Sequence, residues 1–164
     1  MPAPAIPKDV GDEDAADAAV CVRPRLKGHM ALHPVEQATI RAFVVPAKRD
    51  RLMALLGARK RRRDGLDALN HFADWDTRWV RHLDPVADIL ACLRKAGAPS
   101  ECHVISNATE LDGRDVPLDE ALDACESSSF ASVLCCVPGQ LAFFFDEAAA
   151  PRRRVILSRP SSAI

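Results

Sequence analysis

The stretch at residues 130–147, FASVLCCVPGQLAFFFDE, decides the fold. Two apolar runs of strand length, 133–137 and 141–145, are split by Pro138-Gly139-Gln140. Proline presets the first central torsion of a type II turn, and glycine accepts the positive φ that the second requires. The stretch therefore predicts an antiparallel hairpin. Each run is also far too short to cross a bilayer.

Working outward, 153–158 alternates weakly through Val155 and Leu157 and predicts a further strand, placed at the sheet edge and open to a docking partner. Upstream, 102–106 is β-branched in part and bounded by Pro99-Ser100 and Asn107, which predicts another strand. Between them Leu111-Asp112-Gly113-Arg114 reads as a turn. Pro117 then opens a short helix that puts Leu118, Ala121, Leu122 and Cys125 on one face.

The first half changes period. His33-Pro34 with Glu36 suits a helix entry, and Pro46 stops that helix. A second helix begins near Ala47 and breaks at Gly57. Leu66, Leu69 and Phe72 mark a third, and Val86, Ile89, Leu90 and Leu93 mark another before Gly97 and Pro99. Asp74 is expected to cap a further helix through Thr77, with Trp75 and Trp79 turned inward. The fold class predicted is α+β: a helical N-terminal half packed on one face of a small mixed or antiparallel sheet of three to four strands, containing the C-terminal hairpin. Residues 33–160 form this single domain. Residues 1–32 read as a disordered acidic tail, since Pro2, Pro4 and Pro7 break structure and Asp9, Asp12, Glu13, Asp14 and Asp17 repel one another. Regular patterning begins just after Met30.

Composition narrows the function. The net charge is −1, so any electrostatic role must come from a local patch. The six cysteines contain no C-x-x-C pair, which removes zinc ribbons and thioredoxin-like motifs and leaves reduced thiols. No export signal opens the chain, and a bacterial cytoplasm is the expected location. Phosphate-cradling and nucleophile-elbow motifs are missing, so no cofactor is expected.

Three features carry the candidate chemistry. Lys48, Arg49, Arg51, Arg59, Lys60, Arg61, Arg62 and Arg63 lie within sixteen residues and can neutralise phosphates. Consecutive bases on one helix would point all around it, however, and the seven acids of 110–126 offer them an internal partner. The second feature is residues 71–82, where His71, Asp74, Asp76, Arg78 and His82 supply acid–base or metal-ligating groups. Their spacing matches no metal signature, and capping plus core packing accounts for most of them, so no metal is expected. Third, Cys135 and Cys136 have the look of a nucleophile pair, but their apolar flanks predict burial, which raises a thiol pKa. His103 on its short strand reads as a packed residue.

Taken together these residues predict a small non-catalytic interaction or regulatory protein with a protein partner. Two alternatives stand beside it: a polyanion binder using 48–63, such as a nucleic-acid binder, and an acid–base or metal-dependent enzyme centred on 71–82.

Overall fold

The computed structural model describes residues 31–69, 72–147 and 153–160. Of the expected tail, 1–30 lies outside them, as do Asn70 and His71. Among the described residues five α-helices and six strands follow one another in the order α1 (Pro34–Phe43), α2 (Pro46–Leu56), α3 (Arg62–Leu69), β1 (Val80–His82), α4 (Ile89–Lys95), β2 (Glu101–Ser106), β3 (Asp115–Pro117), α5 (Leu118–Ser127), β4 (Ser132–Val137), β5 (Leu141–Phe145) and β6 (Arg154–Ser158). The strands form one antiparallel sheet in the order β1-β6-β5-β4-β2-β3.

The α+β class stands, with the predicted hairpin at its centre. Gly139 takes φ +68°, and the Gln140 amide donates to the Val137 carbonyl at 3.0 Å, closing the turn between β4 and β5. Proline acts twice in the first half. Pro34 and Pro46 each sit in a first helical turn, where the missing N–H costs nothing, so Pro46 starts α2 as well as ending α1.

Two expectations are corrected. The sheet has six strands rather than three or four, and helices cover both of its faces. Along β5, Leu141, Phe143 and Phe145 pack with α4 and α5, whereas Ala142 and Phe144 pack with α1, α2 and α3. Successive side chains alternate faces, so a strand apolar at every position needs a cover on each side. Leu134 and Cys136 likewise join the α4–α5 layer, while Val133 and Cys135 join the other. The helices are accordingly not confined to the N-terminal half.

The additional strands, β1 and β3, have three residues each and carry Arg81, His82 and Asp115 on exposed positions. They gain their strand character from pairing with β6 and β2, not from apolar alternation. Their presence also overturns the edge assignment for β6, which lies between β1 and β5. The expected helix through Thr77 is instead a 3-10 turn, Thr77–Trp79, leading into β1. Its cap is Asp76, which accepts from the Arg78 amide at 3.2 Å, and not Asp74. Among the described residues no helix is long and apolar enough to cross a membrane.

Candidate functional site

The basic cluster does not occupy one continuous helix. Helix α2 ends at Leu56, Ala58 is extended, and Arg59–Arg61 form a 3-10 turn before Arg62 opens α3. The reversal is tight because Gly65 of α3 has no side chain. A Cβ there would lie 2.9 Å from Leu56 Cδ2 and 3.0 Å from the Leu56 amide nitrogen. This break sorts the bases into one that turns inward and several that face water.

Arg62 is the inward one. Its Nη2 and Nη1 donate to Glu36 Oε1 and Oε2 at 2.6 and 3.1 Å, a bidentate pair across to α1. Nη2 also donates to Asp112 Oδ1 at 2.8 Å, and Nε donates to Asp112 Oδ2. Asp112 is held in turn by the Ser106 amide at 3.1 Å. Glu36 is only 2% exposed, so its charge is viable there only with strong partners. Its second partner is His103, 3% exposed, whose Nε2 lies 3.3 Å from Glu36 Oε1. His103 Nδ1 meets Asp115 Oδ1 at 2.7 Å, and the ring of His33 stacks on it at 4.2 Å.

The electrostatics of this network follow from burial set against partners. Burial pushes Glu36 up, but the hydrogen bonds from His103 and Arg62 and their charges outweigh it and hold the carboxyl below its ordinary value. Burial pushes His103 down, yet the bonds to Glu36 and Asp115 win and raise it. Arg62 is raised by its bond to Asp112 and then by Glu36, against the cost of burial. With a carboxylate at each ring nitrogen, the protonated form of His103 is favoured, and both nitrogens are engaged within the network. The network is a clamp joining α1, α3, β2, β3 and the turn at Asp112.

Outside the clamp, Arg59, Lys60, Arg61 and Arg63 are exposed on the corner between α2 and α3. Arg61 Nε pairs with Asp64 at 3.2 Å across an exposed surface, an interaction worth little. Arg59, Lys60 and Arg63 make no ion pair among the described residues. A cavity of about 470 Å³ opens beside them, with Glu36, Arg62 and Asp112 as its floor and His33 and Arg59 among its lining. The rest of the cluster is dispersed. Arg49 Nε donates to the Val44 carbonyl at 2.8 Å, Lys48 Nζ lies 3.8 Å from Asp74, and Arg51 shares a second cavity with Asp64 and Asp67. The acids of 110–126 do not face the cluster as a block, because α5 lies in the opposite layer and only Asp112 reaches across.

The described residues of 71–82 engage separate partners. His71 lies outside the described residues. Asp76 is buried and spends both carboxylate oxygens on Arg78, at 2.9 and 2.6 Å, which lowers the one pKa and raises the other. Asp74 opens toward Lys48, while His82 ends the edge strand opposite Val155. Trp75 is core, tilted on Phe144 at 5.3 Å, and Trp79 lies beneath Arg159 at 4.7 Å. Among the described residues no group of three or more His, Cys, Asp or Glu is placed to hold a metal. Burial pushes the Cys102 and Cys135 thiols up to about 12 and raises Cys136 too, so none is a thiolate at neutral pH.

Sequence reading missed the clamp. In the sequence Glu36 reads only as an acid at the α1 entry, and Arg62 as one base among eight. The usable signal was His103, a lone ionisable residue in an apolar strand, which demands polar partners from the layer above it. No protein-family model, no curated protein and no solved structure matches this chain.

Proposed function

We propose that this protein binds nucleic acid through its phosphate backbone, using the corner formed by Arg59, Lys60, Arg61 and Arg63. The observation that carries the reading is the sorting of the basic cluster. Of Arg59–Arg63, Arg62 alone is withdrawn into the clamp, and the others project to solvent with Asp64 as their one ion-paired acid among the described residues. A rigidly anchored cationic corner answers the objection that consecutive bases on one helix point all around it. The expected mode is sequence-independent, since no aromatic platform lies on the corner and phosphate contacts carry no base information.

A docking protein partner has less in its favour. Among the described residues only Val86 and Phe130 are large exposed apolar side chains, and the two edge strands are three residues long. The acid–base reading centred on 71–82 has less in its favour, because among its described residues Asp76 gives both carboxylate oxygens to Arg78 and Asp74 faces Lys48.

The test is retention on heparin and DNA columns across a salt gradient, beside the triple variant R59Q/K60Q/R63Q. Neutralising three or four phosphates gives a log–log salt slope of roughly −3. The variant loses most of that retention and keeps its fold. No salt-dependent retention of the unaltered protein on either matrix refutes the reading.

A further inference from the structure

We infer that the acidic stretch at residues 9–17 of this same chain docks on the basic corner and competes there with the phosphate-bearing ligand. The inference rests on the polyanion reading for its consequence, though not for the contact itself. Residues 9–17 hold Asp9, Asp12, Glu13, Asp14 and Asp17 and no base, the densest acidic block in the sequence. The corner presents four exposed cations, three of them with no ion pair among the described residues. The two charge blocks are therefore complementary in sign and similar in size.

Where the chain enters the body makes the pairing local. Ala31 and Leu32 line the same cavity as Arg59 and Arg62, so the first described residues lie beside the corner. The fourteen residue steps from Asp17 to Ala31 reach at most about 50 Å when extended. Covalent attachment within that reach makes the encounter intramolecular, which favours even weak charge pairing. Arg23, Arg25 and Lys27 lie on the connecting stretch and are the rival partners for the same acids.

The experiment compares the full chain with the variant D9N/D12N/E13Q/D14N/D17N, and with R23Q/R25Q/K27Q as a control for the rival pairing. Two readouts are taken at low salt: backbone amide NMR shifts, and affinity for a short labelled DNA duplex. Neutralising the acids is expected to shift the amides of 59–63, an effect reproduced by adding salt to the unaltered protein and retained in the control. It is also expected to tighten duplex binding about tenfold, a gain that shrinks as salt rises. Unmoved amides at 59–63 with unchanged affinity overturn the inference and leave the polyanion reading standing. Shifted amides with no duplex binding by any form establish the docking and sink the polyanion reading instead.

Discussion

Arg62 and its neighbours have the same charge and opposite jobs. Its guanidinium is the bidentate partner of Glu36, so removing it strands a buried carboxylate. Arg62→Gln is expected to cost about 3–5 kcal/mol, the range for breaking a buried ion pair from one side, as read by urea denaturation. Arg61→Gln, which removes only an exposed pair with Asp64, is expected to stay within about 0.5 kcal/mol. Equal effects would mean that the clamp does not exist. The contrast also rules Arg62 out of any binding variant, since its loss would confuse unfolding with lost affinity.

The same clamp sets a pH window. Glu36 is lowered from 4.5, so its stabilisation is present above that value and is lost as pH falls through the lower folded value. His103 is raised from 6.5, so its contribution is complete below 6.5 and is lost as pH rises through the higher folded value. Both contributions are in place between 4.5 and 6.5. Urea midpoints measured across pH should therefore decline above that window in the unaltered protein, and His103→Asn should flatten the alkaline decline. A decline that survives the substitution would place its origin elsewhere. His103 in its apolar strand was the one signal in the sequence; its partners were not legible, because Glu36, Arg62 and His103 lie far apart along the chain and meet only in the fold.

At the level of elements, what was legible was what local chemistry dictates. Pro138-Gly139 fixed the hairpin, Pro34 marked the start of α1 and Pro46 its end. The strands β1 and β3 were not legible, since three residues with exposed polar side chains show no period to read. The α2–α3 reversal was half legible. Gly57 was taken as the break, whereas the glycine that sets the geometry is Gly65, for reasons of contact rather than torsion. Gly65→Ala would gain up to about 1 kcal/mol in helix propensity. Against that, the new Cβ meets Leu56 at 2.9 Å, and overpacking costs about 1–3 kcal/mol. The clash should win, because the Leu56 backbone lies as close as its side chain. A net loss of about 1 kcal/mol in thermal or urea unfolding is the expected outcome, and a stabilised variant would show that the helices have room to separate.

For the whole molecule, helices on both faces make the sheet the centre of a three-layer domain. The apolar runs at 133–137 and 141–145 carried that information, since an uninterrupted run implies two covered faces, but weight placed on a one-sided sheet hid it. The layering also fixes the chemistry of the thiols. Cys102, Cys135 and Cys136 are buried around a cavity of about 290 Å³ and their thiols are raised by burial, so iodoacetamide with mass-spectrometric readout should label them slowly in the folded protein and fully after unfolding. Rapid labelling of Cys135 or Cys136 in the folded protein would contradict the two-sided cover.

Those layers leave the α2–α3 corner as the place where charge is held outward on a rigid support, and binding there is the central claim. The most direct measurement is elution from a DNA column over a salt gradient for the unaltered protein and for R59Q/K60Q/R63Q, with circular dichroism to confirm that both are folded. Salt-dependent retention that the folded variant loses is the predicted result. Equal elution of the two proteins, whether both are retained or neither is, would contradict it.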